Sequence, residues 1–164
     1  MRQKDAIAVF WFRRDLRLED NVGLYHALRS GHPVLPVFIL DTEILDRLEE
    51  KADRRVAFIL AALGEINKKL ASAGSSLKVL HRTPVEAFRK ILDEYDVKAV
   101  FTNRDYEPYA TARDEKISLL LKNSAIPFHS FKDPVILEKK EVVKSDGTPY
   151  TVFTPYSKKW KATL

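Results

Sequence analysis

Polar and charged side chains follow two apolar runs of this 164-residue sequence, and their types suit the binding of a ligand. Arg13 and Arg14 come directly after the run IAVFWF, and Asn103, Asp105 and Glu107 follow the run AVFT. Arginine and amide groups donate hydrogen bonds, and carboxylates and amides accept them. If the two runs are neighbouring parallel strands, their ends predict a site for a polar, hydrogen-bonding organic molecule.

The elements that would position these residues follow from the alternation of strand-like and helix-like segments. Short β-branched and aromatic runs alternate with segments of helical periodicity, which predicts βαβ units and a parallel sheet. The predicted strands span 7–12, 33–40, 77–80, 99–102 and 127–131. The predicted helices span 22–29, capped by Asp20 or Asn21, a long segment from Asp53 to Gly74, 84–95, and a segment centred on Ile117.

Five such units most often form a doubly wound, Rossmann-like sheet of order 3-2-1-4-5 with helices on both faces. In that order the first and fourth strands are neighbours, and the ligand crevice lies beyond their carboxyl ends. Asp41, after the second strand, would add a further wall to this crevice. The sequence therefore predicts an α/β domain over residues 1–132.

The last 32 residues have a different pattern. EVVKSDGTPYTVF contains two β-like runs around Asp146 and Gly147, which predicts a hairpin. Trp160 then lies among lysines in a segment that resembles the start of an amphipathic helix. We interpret 133–164 as a hairpin and the beginning of a linker in a longer chain, and the alternative is the frayed end of a small protein.

Composition excludes several classes of site. The chain has no cysteine, so disulfides and thiolate metal sites are excluded, and its net charge of +5 permits a polyanionic partner without requiring one. The phosphate-binding patterns G-x-G-x-x-G and G-x-x-x-x-G-K-[ST] are absent, the four histidines lack metal-ligand spacing, and no nucleophile is paired with a base. No apolar run is long enough for a membrane span, so we predict a cytoplasmic protein with no membrane partner.

Arg54 and Arg55 lie in the first turn of the long predicted helix, where the helix dipole disfavours a cation. Two explanations are open. Asp53 could cap the helix while nearby carboxylates screen the arginines, or one arginine could reach the crevice and bind a ligand oxygen or Asp41.

Several motifs in this order resemble one known family. FWFRRDLRLEDNVGL, VFILD, RRVAFILAALGEINKKLASAGSSLKVL, NRDYEPYATARD and GTPYTVFTPYSKKW are similar to the amino-terminal α/β domain of the DNA photolyase and cryptochrome family. The resemblance runs from about Ala8 to Trp160. It implies that a linker joins this domain to a helical domain, absent here, which binds FAD and damaged DNA.

The resemblance also implies a function. In photolyases, light-excited FAD repairs UV-induced pyrimidine dimers in DNA, and the α/β domain holds an antenna chromophore that passes its excitation to FAD. We therefore expect a deoxyribodipyrimidine photolyase, a carbon–carbon lyase, as the full-length chain, monomeric, with this part alone inactive and without catalytic residues. The alternatives are a cryptochrome-type blue-light photoreceptor, a stand-alone nucleotide-binding module and, more weakly, direct DNA binding through Lys158, Lys159 and Lys161.

The same resemblance points to the chemical class of the antenna. Where the folate-binding pattern has asparagine and glutamate, this chain has Tyr109 and Ala110, so a deazaflavin or flavin is favoured over reduced folate. The alternative for the flavin pattern is that Phe38 belongs to the core and Arg55 pairs with Asp41 over an empty pocket. The predicted cofactor-binding residues combine the flavin pattern with the strand ends: Arg13, Arg14, Phe38, Asp41, Arg55, Asn103, Asp105 and Glu107. No metal ligands are predicted.

Overall fold

A computed structural model describes residues 4–49 and 53–164 of the chain. Five strands and six α-helices follow one another along these residues. The strands are β1 (Ala6–Phe12), β2 (Val34–Asp41), β3 (Lys78–Arg82), β4 (Asp96–Asn103) and β5 (Phe128–Phe131). The α-helices are α1 (Val22–Leu28), α2 (Thr42–Leu45), α3 (Arg54–Ser72), α4 (Pro84–Glu94), α5 (Pro108–Asn123) and α6 (Phe153–Thr163), and a 3₁₀ helix spans Lys139–Glu141.

The strands form one parallel sheet of order β3-β2-β1-β4-β5, which confirms the predicted topology. The central strand β1 pairs with β2 on one side and β4 on the other. Its end is in register with both neighbours, since Phe12 pairs with Phe38 and Trp11 pairs with Thr102. The segments after these three strands therefore begin at the same edge of the sheet.

Apolar side chains cover both faces of the sheet because successive strand residues point to opposite sides. Trp11 packs on one face in a cluster that includes Phe88 of α4 and Ile117 of α5. Phe10 and Phe12 pack on the other face, with α1 and α3. Both faces are thus covered by helices, as predicted, and β1 is almost completely buried.

Side-chain caps define where the helices before the site begin. Asn21, rather than Asp20, caps α1 by accepting from the Leu24 N–H at 3.1 Å, while Asp20 adopts a φ of 50°. Asp53 caps α3 by accepting from the Arg55 N–H at 2.7 Å. The short helix α2, capped by Asp41, had no periodic signal because it has only four residues.

The predicted hairpin in the last part of the chain is wrong. No strand occurs between residues 132 and 164, and a turn closes at Asp146 and Gly147, where the Lys144 N–H donates to the Thr148 carbonyl at 2.9 Å. Residues 148–152, which were expected to form the second strand, adopt no regular structure, and α6 begins at Phe153. Pro155 lies in the first turn of this helix, where its missing N–H costs nothing.

The chain divides into two compact units, residues 1–131 and 132–164. The sheet and its covering helices lie in the first unit, and α6 lies in the second. Among residues 4–49 and 53–164, no helix has both the length and the apolar character needed to cross a membrane.

Candidate functional site

A cavity of about 610 Å³ opens at the carboxyl ends of β1 and β2, next to the first turns of α3 and α5. This volume is typical of small-molecule sites. Ile44 and Phe58 are exposed at the cavity, whereas Phe38 is buried in its wall. The apolar side chains that line it are Trp11, Phe12, Leu16, Phe38, Ile39, Leu40, Ile44, Leu45, Phe58, Ile59, Pro84 and Ala110.

The structure brings most of the predicted site residues to this cavity. Arg13, Arg14, Phe38, Asp41, Arg55, Asp105 and Glu107 line it. Asn103 does not, although it lies at the same edge of the sheet. The cavity therefore lies at the predicted edge of the sheet but at the ends of β1 and β2, with β4 contributing only through the loop that follows it, and contact of these residues with a ligand stays a prediction.

Asn103 is buried and connects the end of β4 to neighbouring segments by hydrogen bonds. It is 2% exposed, its Oδ1 accepts from the Gly23 N–H at 2.8 Å, and its amide donates to Asp15 at 2.5 Å and to Asn21 at 2.8 Å. These bonds join the end of β4 to the loop after β1 and to the start of α1. Gly23 permits this approach, because a Cβ there would lie 2.7 Å from the Asn103 Oδ1.

Arg13 forms the deep wall of the cavity together with Arg113 of α5, and Asp114 pairs with both arginines. The Nη1 of Arg13 lies 2.8 Å from Asp114, and its guanidinium carbon lies 3.8 Å from the centre of the Trp11 ring. Arg113 pairs with the same Asp114 at 3.3 Å and lies 5.0 Å from the same ring. Burial, followed by the charge of Arg113, lowers the pKa of Arg13 to about 10, although Asp114 partly offsets this effect.

Arg14 belongs to the exposed rim. Its side chain is 70% exposed and binds two carboxylates of the loop after β4, Asp105 at 2.9 Å and Glu107 at 2.8 Å. The two arginines that follow β1 thus lie in different environments. Only Arg13 is buried.

Tyr109 connects two sides of the cavity. Its hydroxyl donates to Asp41 at 2.5 Å, and Glu43 lies 3.3 Å from the same hydroxyl. Burial, followed by the hydrogen bond to Asp41, raises the pKa of Tyr109 well above that of free tyrosine. The Asp41 carboxylate also caps α2, so one side chain links the end of β2, α2 and α5.

Arg55 lines the cavity but does not bind Asp41 as one of the two explanations expected. Its side chain is 76% exposed and pairs with the capping residue Asp53 at 2.6 Å. The side-chain and backbone hydrogen bonds from Arg55 lower the pKa of Asp53 to about 2. The capping carboxylate itself therefore compensates for the cation in the first turn of α3.

The bridging roles of Tyr109, Arg113 and Asp114 were not predicted from the sequence. Tyr109 entered the predictions as a departure from the folate pattern, and Arg113 and Asp114 occurred only within the motif NRDYEPYATARD. All three lie in the first two turns of α5, directly after β4. Their position after a central strand was the available signal. Within residues 4–49 and 53–164, no cluster of three or more acidic, histidine or cysteine side chains could hold a metal ion.

Known proteins with similar sequences include several named deoxyribodipyrimidine photo-lyase. A deoxyribodipyrimidine photo-lyase from Synechococcus sp. is 33% identical over 157 residues, which cover 96% of this chain and 32% of that protein. A deoxyribodipyrimidine photo-lyase from Halobacterium salinarum is 35% identical over 162 residues, covering 93% of this chain and 33% of that protein. The chain thus spans about a third of the length of these relatives.

A solved structure adds a cofactor to this comparison. An archaeal photolyase from Sulfolobus tokodaii with two FAD molecules, described as implying a novel light-harvesting cofactor, is 35% identical with a TM-score of 0.75, covering 84% of this chain and 31% of its own. The family model for DNA photolyase matches residues 8–164. This match, over nearly the whole sequence and the entire cavity, shows that the chain belongs to the DNA photolyase family.

Proposed function

We propose that this chain is the antenna-binding domain of a deoxyribodipyrimidine photolyase and that its strand-end cavity holds a flavin or deazaflavin. The cavity itself carries the proposal. Its walls are mostly apolar, and Asp41, Asp105 and Glu107 converge on it as acceptors. Flat aromatic ligands with a polar side chain suit such a site, because apolar walls bury the ring while a few polar groups fix its orientation.

Different residues of the chain would bind the ring of the chromophore and its hydroxyl groups. Phe38 and Phe58 offer apolar surface to a ring, and Asp105 and Glu107, held by Arg14, offer acceptors to hydroxyl groups at the rim. When bound, the chromophore would absorb near-ultraviolet or blue light and pass the excitation to FAD in a second domain. The two FAD molecules in the Sulfolobus relative support a flavin in this role.

The residues where the folate pattern has its pterin ligands favour the same class of chromophore. The Tyr109 hydroxyl is already bonded to Asp41, and Ala110 is only 3% exposed and has no polar side-chain atom. Neither position offers the free amide and carboxylate groups of that pattern. We therefore propose a flavin-class antenna ahead of reduced folate.

Binding of FMN, FAD, a 5-deazaflavin or a reduced folate to the purified chain tests the antenna proposal by fluorescence anisotropy. We expect flavin-class binding that Asp41→Asn weakens about tenfold, since asparagine keeps the cap of α2 but lacks the charge that strengthens a hydrogen bond. Lys98→Gln is the control, because Lys98 pairs with Asp96 at the start of β4, the opposite end of the sheet. Tight folate binding without flavin binding would overturn the antenna assignment.

The activity of the whole protein is a separate proposal and rests on the photolyase relatives. We propose that the full-length protein, as a monomer, acts on DNA that contains pyrimidine dimers. The test is dimer splitting by the reduced full-length protein in light and in darkness. Light-dependent splitting is expected, and its absence under reducing conditions would exclude repair as the function.

A further inference from the structure

Two cations flank the aromatic ring of Trp11 in the deep wall of the cavity. The guanidinium carbons of Arg13 and Arg113 lie 3.8 and 5.0 Å from the ring centre. Asp114 pairs with both arginines, at 2.8 and 3.3 Å. This guanidinium cluster, Arg13, Arg113 and Asp114, therefore places one net positive charge next to an indole that lines the cavity.

Structural stability alone accounts poorly for the cluster. Arg13 is 8% exposed, and in the described part of the chain its Nε and Nη2, and Nη2 of Arg113, have no hydrogen-bond partner. Buried charged groups with unmet donors cost stability, and replacing buried ion pairs by apolar residues is often neutral or stabilising. The stacking of the cations on the indole offsets part of this cost.

An indole next to an excited flavin can quench the excited state that an antenna must pass on. One electron can pass from the indole to the excited ring, which leaves an indole radical cation and a flavin radical anion. When the electron returns, both groups are restored and the excitation is lost as heat. A chromophore in this cavity would be exposed to that loss, because Trp11 is part of the cavity wall.

We infer that the guanidinium cluster protects the excited antenna by making Trp11 harder to oxidise. The positive charge of the cluster repels the positive charge that oxidation would place on the indole, and this repulsion is strong at short distance in a buried site. Arg13 and Arg113 thus act through Trp11 on the lifetime of the chromophore. This inference rests on the proposed antenna function.

Two substitutions that shift the charge of the cluster in opposite directions separate this role from a structural one. Arg113→Gln lowers the net charge from one to zero, and Asp114→Asn raises it to two. We expect Arg113→Gln to shorten the fluorescence lifetime of bound FMN at least about twofold, and Asp114→Asn to leave it unchanged or longer. Lifetimes are read from the bound fraction only, so a change in affinity does not enter.

Trp11→Phe is the control that identifies the electron donor. Added to Arg113→Gln, it should restore the long lifetime, whereas Tyr109→Phe should not, although Tyr109 also lines the cavity. Equal shortening by Arg113→Gln and Asp114→Asn would show that both merely loosen the wall. That result, or failure of Trp11→Phe to restore the lifetime, would overturn the inference.

A second measurement tests the inference without any bound chromophore. In a Trp160→Phe background, Trp11 is the only tryptophan of the chain, and its one-electron potential can be measured by pulse radiolysis. The potential should fall in Arg113→Gln and rise in Asp114→Asn. Absence of flavin binding would refute the proposed antenna, whereas unchanged Trp11 potentials would refute the protective role of the cluster.

Discussion

The deep wall of the cavity and its rim use the same residue types but are held in different ways. In the wall, the side chain of Arg13 is 5% exposed and its carboxylate partner is Asp114 of α5, 101 residues away in sequence. At the rim, the side chains of Arg14 and Arg55 are 70% and 76% exposed. An arginine–carboxylate pair is therefore a fixed structural contact in one place and a surface ion pair in the other.

The difference shows that burial, more than the number of contacts, decides what a polar residue contributes here. Exposed ion pairs are typically worth less than about 1 kcal/mol, because water screens them and ordering two long side chains costs entropy. A buried group that loses its partner is left without solvent and costs about 1–3 kcal/mol. Substitutions in the wall should therefore affect folding, and those at the rim should mainly affect binding.

Removal of the buried Asn103 side chain should have the largest effect. Asn103→Ala deprives the Gly23 N–H, Asp15 and Asn21 of a partner each, so we expect a loss of about 3–4 kcal/mol in the free energy of unfolding, measured by urea denaturation. Asn67→Ala is the matched control, because Asn67 accepts a single exposed hydrogen bond from the Leu77 N–H. Similar losses in the two variants would contradict the role of burial.

Two glycines that lie in helices differ in the space around them, and this difference gives a second test of packing. Gly23→Ala should destabilise the protein by about 2 kcal/mol, because the new Cβ would lie 2.7 Å from Asn103 and 2.9 Å from the Phe10 ring. Gly64→Ala should instead stabilise it by up to about 1 kcal/mol, since among the described residues no atom outside the adjacent helix backbone lies within 4 Å of a Cβ there, and alanine is the better helix former. Thermal unfolding followed by circular dichroism compares the two, and a stabilising Gly23→Ala would contradict the packing described.

The sequence predicted only part of the difference between the wall and the rim. Strand order, the edge of the sheet that bears the cavity and the cap by Asp53 follow from local signals: alternation, periodicity and a capping residue next to a helix. From strand order alone it was also possible to expect Arg13 and Asp105 at one edge of the sheet. Strand order also predicted Asp41 there, and family resemblance added Phe38; both line the cavity.

The partners of these residues could not be predicted from local signals. Arg13 meets Asp114, and Tyr109 meets Asp41, only because the sheet brings distant segments together. Arginines next to each other in sequence also gave no sign that one would be buried and the other exposed. The hairpin expected around Gly147 is also wrong, since residues 148–152 after the turn form no strand and α6 begins directly after them.

At the rim, Arg14→Gln should change the free energy of unfolding by less than about 1 kcal/mol, and the difference should shrink further in high salt. Both partners, Asp105 and Glu107, lie on the loop after β4, so losing the charge frees the loop without exposing the core. Urea denaturation at low and high salt measures the effect. A loss as large as that of Asn103→Ala would mean that the exposed rim is as tightly coupled to the fold as the buried strand ends.

The smallest effect should come from the pair at the start of α3, where protonation breaks the contact without changing any atom of the core. Asp53 has a pKa of about 2 in the folded chain, below the value of about 4 for a free aspartate, because Arg55 donates to it. Its stabilising contribution is therefore present above about pH 4 and is lost as the pH falls towards 2. Carboxyl NMR of Asp53 should show this low pKa, and Arg55→Gln should raise it towards 4. If Asp53 titrated near 4 in both proteins, Arg55 would not be held by its capping partner and would be available to the cavity. Arg55 could then not be counted as a rim residue that is fixed by a surface ion pair.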